Sequence, residues 1–309
     1  MLYRTLACWS CLALASLNGA ISSATDSFRV ATYNVESYLD EATSNRVVKP
    51  PEAKAKVRES ILALKPDVLV FEEMGSIHAL IELQAALKAS GLNLPFSEHV
   101  NGHDPSIHLA ILSRFPITAT RPHTNDTYLL SGRRYWVSRG FAEADIQVNK
   151  NYSFTLLAAH LKSKRAVGEG DEAEMRLEEA KILRENIDAR LTANPNLNLV
   201  VLGDLNDTKD SAAVKAILGT RSHKLVDTRP AELKADNHTS PNRLHEPRTV
   251  TWTHHFERED TYSRIDYILL SPGMAREWVP EQTYVLTLPD WGIGSDHRPI
   301  VATFEAHDK

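Results

Sequence analysis

The chain has 309 residues, 42% of them hydrophobic and 24% charged, an ordinary globular balance that excludes collagen-like, disordered and multi-pass membrane classes. That length fits one large domain or two small ones, and a single unit would bury about three quarters of its unfolded surface. The formal charge of −5 argues against a strongly basic nucleic-acid packaging protein and leaves room for a local basic groove.

Residues 1–24 place Arg4 before a short apolar run that ends among small residues, the pattern of a secretory signal peptide. The run is too short for a good membrane span. Both cysteines, Cys8 and Cys11, lie in it; an uncleaved anchor or a lipid on either cysteine are the alternative readings. Cleavage near Ala20 or Ala24 removes Arg4 and both thiols, so the expected product is a disulfide-free exported chain, periplasmic or secreted, held by core packing alone.

Residues 25–309 show no internal repeat and no linker and read as one domain. Strand-like runs are expected at Phe28 to Tyr33, Asp67 to Phe71, His108 to Leu112, Gly140 to Val148, Ser153 to Ala159, Leu197 to Leu202, Thr249 to Thr253, Arg264 to Leu270 and Ile300 to Phe304. Between them, Pro51 opens a helix with Val57, Ile61 and Leu64 on one face, stopped by Pro66. Ser76 to Ser90 is a second helix, placing Ile77, Leu80, Ile81 and Leu87 together before Gly91. Asp171 with Glu174 makes a capping box ahead of Leu177, Ala180, Leu183, Ile187 and Leu191. All three helices read as scaffold. Asn93 to Ser106 and Ala231 to Arg248 read as loops. Many strands with few helices point to mixed sheets in an α/β fold.

Chemistry-bearing residues stand where apolar strands end: Asn34, Glu72 and Glu73, His160, Asp204 and Asn206, Asp266, and Asp296 with His297. Singly, each has a structural explanation as a turn, cap or solvated group. Together they are carboxylates, amides and imidazoles, an inventory for a hard metal and proton transfer. No P-loop, thiol or G-x-S-x-G elbow offers a covalent route.

The ordered words Y-N-V-E, F-E-E, A-A-H-L-K, G-D-L-N-D-T, I-D-Y and G-S-D-H-R-P-I resemble the endonuclease/exonuclease/phosphatase superfamily over about Phe28 to Phe304. That resemblance implies a four-layer α/β sandwich, two packed mixed β-sheets flanked by helices. It implies a metal-dependent phosphoesterase in which Asn34, Glu73 and Asp296 serve Mg²⁺ or Mn²⁺, with Ca²⁺ as an auxiliary ion. Glu72 stands where the family has Gln and is the alternative ligand. By the same resemblance Asp204 and Asn206 orient and deprotonate water and hold a phosphate oxygen, Asp266 fixes His297, and His160 bonds the phosphate or protonates the leaving oxygen. The resemblance also makes Asn34 a phosphate contact and Glu98 a candidate partner of His160. Lys162, with Lys164 and Arg165 just after His160, is an expected phosphate contact by its charge, a solvated loop being the alternative.

A calcineurin-like phosphatase would share Gly203, Asp204 and Asp207 but needs flanking words that Asp236-Asn237-His238-Thr239 does not supply. A zinc enzyme lacks its motif, and His254 and His255 face opposite sides of a strand. A binding protein on a retired scaffold would be expected to lose ligands, and every main position is filled. The expected substrate is a phosphodiester, DNA or RNA first, with Arg133, Arg134, Tyr135, Trp136 and Arg139 as a possible groove. Small phosphoesters and sphingomyelin are the alternatives, Trp278 and Trp291 being the aromatic candidates for a lipid surface. No obligate protein partner is evident, and a monomer is expected.

Overall fold

The computed structural model describes residues 27–166, 168, 170–233 and 251–309. In chain order its elements are β1 (Ser27–Tyr38), α1 (Pro51–Leu64), β2 (Val68–Met74), α2 (Ile77–Ala89), β3 (Phe96–Val100), β4 (His108–Ser113), β5 (Ile117–Thr120), β6 (Thr127–Leu130) and β7 (Arg133–Trp136). These are followed by β8 (Phe141–Asn149), β9 (Tyr152–His160), α3 (Glu172–Ala193), β10 (Leu199–Asp204), α4 (Ala212–Leu218), β11 (Val226–Asp227) and β12 (Ala231–Glu232). After the undescribed stretch come β13 (His254–Phe256), β14 (Thr261–Ser263), β15 (Asp266–Leu270), β16 (Trp278–Val285) and β17 (Ile300–Glu305).

Two mixed sheets run in the orders β12-β16-β17-β1-β2-β4-β3 and β11-β15-β10-β9-β8-β5, with β6-β7 and β13-β14 as separate ribbons. Each large sheet has a parallel pair inside it, β1 with β2 and β9 with β10. A parallel pair needs a long crossover, and α1 and α3 provide it.

Side-chain alternation sets the layers. Even-numbered residues such as Val30, Val70, Leu156, Leu202, Ile268 and Ala302 fill the space between the sheets. Odd-numbered neighbours turn outward: Ala31, Tyr33, Leu69 and Phe71 join α1 and α2, and Leu157, Val201, Tyr267 and Leu269 join α3 and α4. The order helix, sheet, sheet, helix is the expected four-layer sandwich.

Helix α1 starts with Pro51 and ends where Lys65 adopts a left-handed conformation ahead of Pro66. In α2, the Ser76 hydroxyl caps the N–H groups of His78 and Ala79. The sheet meets Ala79, Leu80, Leu83 and Leu87, whereas Ile77 and Ile81, expected on the apolar face, are exposed; their i, i+4 row lies one step around the helix from the contact. The Asp171 carboxylate caps α3 by accepting the Glu174 N–H at 2.9 Å.

Three further sequence expectations are corrected. Ala231–Glu232, read as the start of a loop, forms β12 and pairs with β16. Asn93 to Ser106 contains β3, an edge strand paired with β4, whose polar Ser97-Glu98-His99 masks the alternation, as edge strands commonly do. Thr251 to Thr253 is irregular rather than strand. The Arg298 side chain holds it there, buried with its guanidinium 3.4 Å from the Trp252 ring and bonded to the Thr251 hydroxyl and the Trp252 carbonyl. The expected leader with Cys8 and Cys11, residues 249–250, most of the Ala231 to Arg248 loop and the Asp236 to Thr239 word lie outside the described residues. Among the described residues, no helix is long and apolar enough to cross a membrane.

Candidate active site

Asn34, Glu72, His160, Asp204 and Asp266 all carry the parity of the inner core; Glu72, His160, Asp204 and Asp266 stand one step beyond its apolar residues, and Asn34 follows Val30 and Thr32. Asn34 stands opposite Glu72 across β1 and β2. On the facing sheet Asp204 is flanked by His160 of β9 and Asp266 of β15. Two buried polar rows therefore meet at one end of the sandwich, joined where Asn34 Nδ2 donates to Asp204 Oδ2 at 3.0 Å.

The backbone beside them is unusual. Gly203 has φ +128, and a Cβ there would lie 2.1 Å from the Ala159 carbonyl oxygen and 3.0 Å from Glu72 Oε1. Asn206 follows in a left-handed turn at φ +54. Its backbone N–H donates to Asp204 Oδ1 at 2.8 Å, and its Nδ2 reaches Asp204 Oδ2 at 3.2 Å and the Leu161 carbonyl at 3.0 Å.

His297 enters from the loop before β17. The Ser295 hydroxyl donates to the Asn34 carbonyl and accepts the His297 N–H, tying the loop to β1. His297 Nδ1 lies 2.9 Å from Asp266 Oδ2, and because a carboxylate only accepts, the imidazole donates. Thr253 Oγ1 donates to the same oxygen at 2.6 Å. Asp204 Oδ2 then sits 3.8 Å from His297 Nε2 and 3.6 Å from His160 Nε2.

These groups have separated proton affinities. Burial, then the Asp266 charge, pushes the Asp204 carboxyl up to about 7, against the opposing effects of His297, the Asn206 N–H and Asn34. Burial opposes a charge on His297, but Asp266, Asp204 and Asp296 outweigh it and hold this histidine well above its usual range. His160 is held well below that range, first by burial and then by Arg139, His297, Arg46 and Lys162. At neutral pH, one imidazole is a cation and the other is neutral.

Glu72 bears on the expected metal. It is fully buried, Oε1 accepts from Thr32 at 2.6 Å, and Oε2 has no partner. Burial raises its carboxyl well above the usual range, and Asp266 and Asp204 add to the shift. So much carboxylate in so small a space suits a divalent cation, and Asp204, Asp266 and His297 bring donor atoms within 4.8 Å of one another. Glu73 lies at the rim at φ +62, its Oε2 held by the Ser37 N–H and hydroxyl at 2.9 and 3.0 Å and by Arg46 at 3.4 Å. Asp296 stands beside His297 and turns Oδ2 to His254 at 3.4 Å. Glu36 feels the charges of both Asp296 and Glu73, so three carboxylates share that rim.

A protonated Glu72 has the shape and hydrogen-bonding character of the Gln that the family words carry. The folded chain then keeps a proton that the unfolded chain releases, so this side chain costs stability as pH rises from about 4.3 toward its folded value. Glu72→Gln is expected to melt higher than wild type at pH 8 in metal-free buffer, to converge with it near pH 4, and to keep turnover within a few-fold. A hundredfold loss of turnover at unchanged Tm would make Glu72 a metal ligand instead.

Lys162 does not project freely: its Nζ donates to the Ser163 and Arg165 carbonyls at 3.1 Å. Glu98 is not bonded to His160, whose Nδ1 is buried without a partner. Several neighbours are not signalled by the sequence words. Arg176 and Glu179 of α3 are buried and clamp the loops after β9 and β10: Glu179 accepts the Lys162 N–H at 2.6 Å, and Arg176 donates to the Lys162 carbonyl at 2.9 Å and to Asp207 at 3.0 Å. Thr253, Arg46 and Lys49 also border the site, together with Arg139, which the sequence placed in the possible groove. The signal available was charge on the buried stripe of α3, where Arg176 and Glu179 stand among Met175, Ala180 and Leu183.

A family model described as Endonuclease/Exonuclease/phosphatase family matches residues 31–297. Comparison with curated protein sequences finds no match. Among solved structures, sphingomyelinase C from Streptomyces griseocarneus is 19% identical with TM-score 0.61, covering 91% of this chain and 100% of its own. The 3′ phosphatase NExo from Neisseria, bound to product DNA hairpin, is 18% identical with TM-score 0.58, covering 90% and 99%. The human Nocturnin catalytic domain with bound sulfate is 16% identical with TM-score 0.60, covering 92% and 95%. These likenesses share the fold.

Proposed function

The chain belongs to the endonuclease/exonuclease/phosphatase family of metal-dependent phosphoric ester hydrolases, and from that premise we propose that it is an exported nuclease cleaving phosphodiester bonds of DNA or RNA. The supporting observation is Asp204 Oδ2 standing 3.6 Å from His160 Nε2 and 3.8 Å from His297 Nε2, two imidazoles whose surroundings shift their proton affinities in opposite directions. Asp204 takes the proton of the attacking water, which Asn206 and Asn34 orient. His297, cationic and steered by Asp266, stabilises the phosphoryl charge and supplies a proton to the departing oxygen. Neutral His160 donates its N–H to a phosphoryl oxygen.

Asn34, Glu73 and Asp296 would hold Mg²⁺ or Mn²⁺, with Glu36 nearby. When bound, the ion supplies charge neutralisation at the phosphoryl oxygens.

A polyanionic substrate is favoured by the cationic border of Arg46, Arg139 and Lys162 around His160 and by the β6-β7 ribbon, which exposes Arg133, Arg134 and Trp136. One observation favours a second reading, a sphingomyelinase-type phosphodiesterase: the β13-β14 ribbon exposes Phe256 and Tyr262 close to His297. Of the two tryptophans expected for this role, Trp278 is partly buried against the core and Trp291 is partly exposed and leans on Trp252.

Side-by-side turnover of plasmid DNA, RNA, sphingomyelin vesicles and p-nitrophenyl phosphate separates these readings. DNA or RNA cleavage with Mg²⁺ or Mn²⁺, abolished by EDTA, is expected; turnover of sphingomyelin alone overturns the nuclease reading. His160→Ala removes the hydrogen-bond donor to the phosphoryl oxygen and is expected to slow diester cleavage about 100-fold. A loss of less than about threefold would remove its assigned role.

A further inference from the structure

We propose that His254, Asp296 and His297 form a second metal site, of zinc type, whose occupation shuts the phosphoesterase centre; the inhibition rests on the role given to His297 above, whereas the binding does not. Of the two metal-capable clusters among the described residues, the other, Asp204 with Asp266 and His297, lies wholly within the centre, whereas this one borrows His297 and Asp296 from it and adds His254.

The chain builds this cluster through backbone. His254 and His297 form an isolated antiparallel bridge. On either side of it, the His255 N–H donates to the Asp296 carbonyl at 3.0 Å and the Arg298 N–H to the Thr253 carbonyl at 2.7 Å. Three donor side chains are thus fixed on two zipped segments. His254 Nε2 lies 3.4 Å from Asp296 Oδ2, and His297 Nε2 lies 3.8 Å from Asp296 Oδ1. A tetrahedral ion with bonds of about 2.0–2.1 Å wants donors about 3.3–3.4 Å apart, so small side-chain rotations suffice.

The donor set selects the ion. Two imidazole nitrogens and one carboxylate suit Zn²⁺ or Co²⁺, whereas Mg²⁺ prefers an all-oxygen shell. The Asp266 carboxylate on His297 Nδ1 aims Nε2 at the site, the usual second contact behind a metal-bound imidazole. Asp296 is partly exposed, which gives the ion an entry path. Ligation uses the lone pair of His297 Nε2, so a proton held on that nitrogen leaves to solvent before the bond to the ion forms. That nitrogen otherwise faces Asp204 Oδ2 at 3.8 Å, so the same atom cannot serve catalysis while it ligates.

The purified, metal-free full chain is titrated with Co²⁺ without substrate, and the visible d–d absorption of nitrogen-ligated cobalt is followed. Wild type is expected to show it and to lose it to Zn²⁺, and His254→Gln is expected not to show it. In parallel, turnover of bis-p-nitrophenyl phosphate at saturating Mg²⁺ is expected to be halved by Zn²⁺ at a concentration that His254→Gln raises about tenfold or more while leaving zinc-free turnover unchanged. His254→Phe, which keeps a ring to stack on Phe256, replaces the glutamine variant if that one misfolds. An identical cobalt spectrum in the variant, or equal zinc sensitivity, overturns the proposal. Absence of phosphoesterase turnover would count against the function alone, since the cobalt titration still decides the site.

Discussion

Asp204→Ala is expected to lower kcat/KM on bis-p-nitrophenyl phosphate by about 10³-fold or more, with the fold retained. It is the hub of the centre: it accepts from Asn34 and twice from Asn206 and stands within reach of both imidazoles. Removing it takes away the base, worth about 10²–10⁴-fold on its own, and also the acceptor that orders the two amides. Stability moves in the opposite direction. A carboxyl pushed up to about 7 holds a proton in the folded state that the unfolded chain releases above about 3.9, so it destabilises the fold as pH rises between those values. Near pH 7.5 the variant should therefore melt no lower than wild type while turning over essentially nothing. Asp204→Asn keeps the shape and should be comparably inactive. Turnover within tenfold of wild type in either variant would remove Asp204 from the mechanism.

Gly203→Ala is expected to be the most damaging single methyl group near the site, lowering unfolding free energy by about 3 kcal/mol or more. Two independent costs combine. At φ +128 an alanine pays about 1–3 kcal/mol of backbone strain. Its Cβ at 2.1 Å from the Ala159 carbonyl also forces β9 and β10 apart, an overpacking cost of typically 1–3 kcal/mol. Because His160 and Asp204 follow directly on those strands, activity should fall with stability. Urea unfolding measures the first effect and turnover at a temperature where the variant stays folded measures the second. A variant as stable as wild type would show that the strands can separate without cost.

Period-two alternation carries much of this site in plain view. Val30, Thr32 and Asn34 share one face of β1, and Val200, Leu202 and Asp204 share one face of β10, with Val30, Val200 and Leu202 in the inner core. Continuing the count along each face reaches Asn34 and Asp204, the polar residues proposed for the chemistry. The same count resolves the two glutamates. Glu72 has the parity of Val68 and Val70 and points inward, while Glu73 turns to Ser37 and Arg46 at the rim. Other features are not visible along the chain. Helix α3 reads as scaffold, yet its Arg176 and Glu179 hold the loops after His160 and Asp204. The β13-β14 ribbon, legible only as a strand with histidines on opposite faces, sends His254 to Asp296 and stacks His255 on Tyr262.

The layered α/β architecture, the strand ends at which polar residues surface and the family's ordered words are all written in the sequence, because alternation, caps and local motifs are properties of neighbouring residues. That Asn34 meets Asp204, that Asp266 steers His297, and that the proton affinities of His160 and His297 are pushed in opposite directions emerge only on folding. Those facts depend on which strands pair and which sheet faces which, on contacts between residues 170 or 31 positions apart, and on burial that no local pattern encodes.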